Sequence, residues 1–452
     1  MRMETASRWI FPAIAAALLT AGAAHAALGD DLALAPPAFV HQGSQAVFVD
    51  FQDMALRLTV DVAHRKITGQ ATIHFFSAQS GHPVFDLVAE PNSISLNGMA
   101  TRAPQFSDPD HVTSFRILDS EVQAGSTNTL IINYEMGSQN ARFSAQGVHL
   151  GFYTNDLGDR GFLEQYAPSG FEFDHWRMSL DLTLTGATHP HRLFANGRTT
   201  EPSPSHWLVE FPEYFNASSF FVVLSDAEID VLEGSYSGLE RTIPVTVFTL
   251  RSASESVHDL MSHTLADLRE LETRIGPYPH ERLIVDGDGG GMEYCGAVQA
   301  DLYSLKHELN HQWFARGVMP ANGNSGWIDE ALVTWISGPP AYGSSGRLSG
   351  GSPYLRQTPL SAYYYGSRFF GKLDGLLASR GGLMPILRDW FATKRLQSIT
   401  TSELETFIER SSGLDFRAIF LSDVYTDPNT NPGPFAQCFE QELPNENRMF
   451  RR

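Results

Sequence analysis

"HELNHQWF", residues 307 to 314, sets two imidazoles four positions apart with a carboxylate beside the first. In an α-helix four residues advance ~6 Å and turn ~400°, so His307 and His311 stack on one face and their ring nitrogens can converge on one ion. Zinc bound for catalysis takes three protein ligands and keeps a fourth position for water, which calls for one further donor. Glu330 in "WIDEALVTW" supplies it: residues 312 to 329 leave room for one helix to end, a Pro/Gly loop to turn back and a second helix to present its carboxylate. Glu308 is offset by ~100° from His307 around the axis and can border the open side of the ion as a general base. A buried helix with hydrogen-bonded His residues is the plainer reading of the five-residue pattern alone. Glu330 at this distance, with a Trp before it, favours one zinc per chain, held by His307, His311 and Glu330.

Upstream of this pair of helices the pattern changes to period two. Between about Phe51 and Asp230, "LRLTVDV" places Leu56, Leu58, Val60 and Val62 on one face and Arg57, Thr59 and Asp61 on the other, and "TLIINYEM" and "SLDLTLTG" repeat the scheme. Turn residues interrupt at short intervals with no strongly periodic helix between, which predicts an antiparallel β-sandwich. After "IPVTVFTL" the spacing becomes three and four, through Val257, Leu260, Met261, Leu265, Leu268, Leu271 and Ile275, with Ser252 and Glu255 as a capping pair and Gly276-Pro277 as the stop. A Gly-rich loop, "DGDGGGMEYCG", precedes the helix of His307, and a second helix runs from Trp327 to Ile336. Further helices are expected from about Ala362 to Ser379 and from Ser402, paired with Glu405, to about Glu409. "SGPPAYGSSGRLSGGSPY" reads as a surface loop and "TDPNTNPGP" as the start of a weakly structured tail.

Length and composition agree with a multidomain α+β protein. The 452 residues exceed one ordinary core, and a composition of 42% hydrophobic and 18% charged residues is globular rather than disordered. The formal charge of −19, with no Lys/Arg cluster, argues against a nucleic-acid partner. The opening "MRMETASRWIFPAIAAALLTAGAAHA" carries Arg2 and Arg8, an apolar run shorter than the ~20 residues of a membrane span, and Ala24-His25-Ala26 as a cleavage pattern. It predicts a signal peptide and an exported protein, periplasmic or secreted, without stable membrane insertion once cleaved. The expected division is 1–26 signal peptide, 27–50 linker, 51–240 β domain, 241–425 catalytic domain and 426–452 tail. The two cysteines, Cys295 and Cys438, permit one disulfide and do not require it.

"HELNHQWF" and "WIDEALVTW", preceded by "GGMEYCGA", together resemble the gluzincin family of membrane alanyl aminopeptidases, which includes the leukotriene hydrolases. "RELETRIGPYPHERLIV" is similar to the helix and strand that enter that family's catalytic domain, and "ITTSELETFIERSSGLDFRAIFLSDVY" to its closing segment; the likeness covers about residues 51 to 425. It implies a saddle-like N-terminal β domain followed by a thermolysin-like, mostly helical zinc peptidase domain. It also implies removal of an N-terminal residue from a peptide or protein N-terminus, with Glu308 as the base. Glu293 then grips the substrate's α-amino group, with Gly291 and Met292 of the same run lining it, and Gln165 of "FLEQYAPSG" reaches in from the β domain. Tyr363, two residues and a Gly ahead of "SRFF", is the oxyanion donor, with Tyr364 and Tyr365 as alternatives. The chain departs from the family at Asn310, where a small residue is usual, and at Cys295, where Pro is common. It also ends before the helical domain that roofs many relatives, which implies a more open cleft. A zinc endopeptidase or processing peptidase, or a non-catalytic peptide-binding relative, remain the alternatives to an aminopeptidase.

Overall fold

The structure is a computed structural model that describes residues 30–425 apart from 107–114, 138–140, 158–160, 322–324, 339–347, 349–353 and 355–357. The expected signal peptide, the tail, Cys438 and most of the Gly/Ser-rich loop lie outside the described residues. Among the described residues no helix is long and apolar enough to cross a membrane.

The period-two segments form a β-rich N-terminal part. Its largest sheet has eight strands, with Asp50–Asp61 and Lys66–Ser77 at the centre, paired antiparallel from Asp61↔Lys66 to Asp50↔Phe76. Leu56, Leu58, Val60 and Val62 are buried as their alternation requires, whereas Arg57 and Thr59 are exposed. The expectation of a purely antiparallel architecture is corrected at two pairings. Arg177–Thr185 runs parallel to Asp50–Asp61 over nine residue pairs, and Ser44–Val47 meets His82–Asp86 in parallel. Period-two alternation is the same for either strand direction, so it carries no information on this point. Two four-stranded sheets complete the region, and its core joins Trp176, Phe51, Phe215 and Phe220 to the inward faces of the large sheet.

A five-stranded mixed sheet follows, ordered Ile229–Ser237, Thr242–Leu250, Leu283–Asp286, Ala297–Ala300, Gly291–Tyr294. Its first strand pairs with the second from Ile229↔Leu250 to Ser237↔Thr242, so the chain enters this sheet ahead of the change of period near 240. The last in order, Gly291–Tyr294, lies at the sheet's edge and holds the "GMEY" run. Among the described residues seven α-helices accompany the sheet: α1 (Val257–Arg274), α2 (Leu305–His311), α3 (Trp327–Ser337), α4 (Ser367–Leu377), α5 (Met384–Lys394), α6 (Thr401–Ser412) and α7 (Arg417–Asp423).

Two helix starts differ from the expected ones. Ser256, in extended conformation, caps α1 by accepting from His258 N–H, rather than Ser252. Thr400 and Glu403 form a reciprocal capping box at α6, rather than Ser402 and Glu405. "TTSELE" offers the Thr/Ser-x-x-Glu pattern in two registers, and the observed one starts two residues earlier and sets Leu404 and Ile408 in the core. α6 also continues past Glu409 to Ser412, where Gly413 adopts a left-handed cap.

α3 is apolar on nearly all sides and therefore lies inside the molecule, with Trp327, Ile328, Ala331, Leu332, Val333 and Ile336 all buried. Trp327 stacks on Phe370 of α4 at 5.4 Å and donates its indole N–H to Thr401 of α6 at 3.1 Å. A π-helical turn, Ala362–Gly366, leads into α4, and a Cβ built on Gly366 would stand 2.3 Å from the Ala331 Cβ. The α3–α4 contact thus has no room for a methyl group. Gly366→Ala is expected to cost about 1–3 kcal/mol in urea unfolding. An unchanged unfolding midpoint would show the contact to be looser than described.

Candidate metal and catalytic site

α2 and α3 bring His307, His311 and Glu330 together. The Nε2 atoms of His307 and His311 are 3.1 Å apart, and Glu330 Oε2 stands 3.0 Å from His307 Nε2 and 3.6 Å from His311 Nε2. Donors bound tetrahedrally to one zinc at about 2.0–2.1 Å lie about 3.3 Å from each other, so these three atoms have the spacing of one coordination sphere. The donor chemistry agrees, since two imidazoles and a carboxylate are a zinc set with a position left over for water.

The ring of His311 is fixed from behind. Its Nδ1 lies 2.6 Å from Asp329 Oδ1, and both side chains are fully buried. A carboxylate there accepts the Nδ1 proton, which leaves the Nε2 lone pair of the neutral ring turned toward His307 and Glu330. Asp329 escaped the sequence reading, although it adjoins Glu330 in "WIDE": one helix residue ahead, it approaches the same imidazole from its far side.

Glu308 is 5% exposed and adjoins the Gly291 backbone, where an added Cβ would be 2.9 Å from its Oε1. A side chain at 291 would therefore displace the Glu308 carboxylate, a physical reason for the glycine in "GGMEY". Burial, with Glu293, Glu330 and Asp156 nearby, holds the Glu308 carboxyl well above the usual carboxylate range, against the opposing pull of His311. Burial would lower the His311 imidazolium, but Glu293, Glu330, Glu308 and Asp156 outweigh it and raise the group. The neighbouring carboxylates add to burial at Glu308 and work against it at His311.

Glu293 is 2% exposed on the edge strand, with Met292, also buried, beside it. Its Oε1 accepts from Arg316 Nη2 at 2.7 Å, and Arg316, with no exposed surface, also reaches Ser218 Oγ, the Glu293 carbonyl and, at 4.0 Å, Asp156. Two carboxylates thus share one guanidinium. Neither Arg316 nor Asp156 was singled out from sequence, because the group spans the two parts of the chain and leaves no local spacing to read. Gln312 of the opening motif secures the same strand: it donates to the carbonyls of Tyr294 and Ala297 and accepts from Gly296 N–H.

Of the three tyrosines, Tyr363 reaches the triad. Its hydroxyl donates to Glu330 Oε1 at 2.6 Å and its ring lies near-parallel to His307 at 6.1 Å, whereas Tyr364 is largely exposed and Tyr365 packs on the core. Burial, followed by the Glu330 charge, pushes the Tyr363 phenol far up, so it stays a proton donor. Gln165 is half-buried in the β-rich part and donates to Glu164 Oε1 at 3.3 Å; among the described residues it makes no hydrogen bond to the triad. Asn310 is buried and clips α2 to α3 through Lys306 O and Ser337 Oγ, which explains a polar residue at an interior position. Cys295 is buried with its Sγ 3.0 Å from Ser219 Oγ; its proposed partner, Cys438, lies outside the described residues.

The Gly-rich loop starts from a buried carboxyl. Asp286 Oδ1 accepts from Asp288 N–H, and burial, with Asp288 next, pushes Asp286 up to about 8. Folding therefore takes up a proton between the ordinary value of 3.8 and about 8, and this group's contribution to stability falls as pH rises through that window. Urea unfolding across it should show Asp286→Asn with a flatter pH dependence than the parent chain; parallel curves would refute the buried proton. A second expectation concerns the metal: Asp329→Ala should weaken zinc binding about 10–100-fold by competition with a chelating dye, without removing any of the three donors.

No family model matches the sequence, and no curated protein matches it either. Solved structures do match. The M1 zinc metallopeptidase of Deinococcus radiodurans superposes with a TM-score of 0.59 at 17% identity, over 81% of this chain and 91% of that one. A mutant of the M1 zinc metallopeptidase from the same organism, bound to a Tyr-Ser-Ala substrate, gives 0.57 at 17% identity over 81% and 91%. Leukotriene A4 hydrolase from Saccharomyces cerevisiae gives 0.62 at 13% identity, over 84% of this chain and 67% of that one. At these identities the likeness is one of fold: a β-rich part followed by a helical one.

Proposed function

We propose that the chain is a zinc-dependent aminopeptidase that hydrolyses the first peptide bond of peptides, acting after export led by residues 1–26. The observation that carries this reading is the convergence of His307, His311 and Glu330 at coordination spacing with Glu308 alongside. The fold shared with zinc metallopeptidases, one of them holding a tripeptide substrate, supports it.

Zinc held by His307, His311 and Glu330 would supply Lewis-acid polarisation of the scissile carbonyl and acidify a water. Glu308, next to His307 and walled by Gly291, takes the proton of the attacking water and delivers it to the departing amine. A raised carboxyl suits both halves of this task, because it holds the proton between the two transfers. Tyr363 keeps its phenolic proton and offers it as a hydrogen bond to the developing oxyanion. Glu293, buried on the edge strand and oriented through its Oε1 by Arg316, is the carboxylate that receives the substrate's α-ammonium group. Among the described residues Gly291–Tyr294 is the edge strand of its sheet, and an extended peptide added alongside it would have the residues after the first put in order.

Aminoacyl chromogenic amides should be cleaved by the zinc-loaded protein, and Glu308→Gln should lower kcat about 10²–10⁴-fold while zinc content stays at one per chain. Cleavage of N-acetylated peptides at comparable rates would show an endopeptidase instead, and inactivity on every free-amine substrate would end the hydrolytic reading.

A further inference from the structure

Three carboxylates of the β-rich part meet apart from the triad. Asp31 lies in the 3₁₀ turn Asp30–Ala33, Asp50 opens the strand Asp50–Asp61, and Asp174 lies in the loop ahead of Arg177–Thr185. Oxygens from all three lie within 4.8 Å of one another. Asp50 and Asp174 are 4% and 0% exposed. Asp174 Oδ2 accepts from Phe51 N–H at 3.0 Å, but Oδ1 is buried and without a hydrogen-bond partner. Asp31 Oδ2 accepts from His175 N–H, and the His175 ring stands 3.6 Å away.

A buried carboxylate oxygen with no donor loses its hydration for nothing in return. Burial, with Asp50 and Asp31 beside it, pushes the Asp174 carboxyl well up. Either a proton or a metal ion can relieve this, and the donors are all carboxylate oxygens, the set that a hard cation takes. Oxygens bound to one calcium at about 2.3–2.6 Å stand up to about 5 Å apart, and three oxygens within 4.8 Å of one another fall inside that range; magnesium, which gives up its water reluctantly, suits a buried all-protein site less.

We propose that Asp31, Asp50 and Asp174 bind one calcium ion, with Asp174 Oδ1 as its innermost ligand. The ion fastens the N-terminal turn and the first long strand to the loop around Asp174. That loop is itself seated on the helical part, because Ser398 Oγ donates to Glu172 O at 3.0 Å and His175 Nε2 lies 3.3 Å from Ser398 Oγ. Ser398–Ile399 pairs with Met319–Pro320, the chain that continues from α2 past Arg316. The calcium site therefore acts as a clasp between the two parts of the chain.

The full chain, dialysed free of calcium and titrated with calcium chloride, should take up one calcium per chain by equilibrium dialysis. Its thermal midpoint should rise by about 3 °C or more at saturation. Asp174→Asn should weaken uptake at least 100-fold and abolish the thermal shift, while His307→Ala should keep both, which separates this site from the triad. If Asp174→Asn does not fold, Asp31→Asn on the half-buried turn should weaken uptake at least tenfold. No uptake at millimolar calcium, uptake unchanged by these aspartate substitutions, or preference for magnesium would overturn the proposal.

Discussion

The burial of five carboxylates around one small volume is the constraint on which the site depends. Asp156, Glu293, Glu308, Asp329 and Glu330 are each at most 5% exposed, and the guanidinium of Arg316 reaches two of them. Such an arrangement is costly unless it is repaid by hydrogen bonds and by cations. Two of the five are accommodated by Arg316 and one by the imidazole of His311. Of the remainder, Glu330 turns one oxygen to the two imidazole nitrogens and the other to Tyr363, and Glu308 lies within electrostatic reach of His311. The pocket is thus a receptor for positive charge first, and its selectivity for metal and amine follows from which atoms line it.

Rigidity in this region comes from apolar anchors outside the charged centre. α2 is only seven residues long and could not persist alone. It is held by Trp313, whose indole donates to Gly276 O, and by Gln312, which grips the hairpin of the edge strand. α3 is held by Trp327 between α4 and α6, and by the methyl-tight approach of Gly366. The polar atoms inherit their precision from these contacts, since a side chain on a helix embedded in a dense core has few rotamers left to it.

What could be read beforehand was what depends on local periodicity. The two His residues and Glu330 lie on helices whose faces follow from spacing, and Leu56, Leu58, Val60 and Val62 lie on a strand whose alternation names its buried side. Arg316 and Asp156 were out of reach because their pairing joins positions 160 residues apart in the chain, with no pattern between them. α7 went unread because "RAIFLSD" is too short to show a period, whereas "MPILRDWFATK" carries a legible one in Leu387, Trp390 and Phe391. The cap positions slipped by a few residues because Ser, Thr and Glu recur in the linking turns and only tertiary packing decides among registers.

The parallel partnership between Asp50–Asp61 and Arg177–Thr185 has a consequence for biogenesis. The first of these strands leaves the ribosome more than a hundred residues before its neighbour, and until then one of its edges offers unsatisfied amides and carbonyls to any passing chain. Loop closure over such a separation is slow compared with hairpin formation. The nascent polypeptide therefore passes through a sticky interval early in synthesis, a vulnerability set by strand order alone and indifferent to the chemistry of the finished centre.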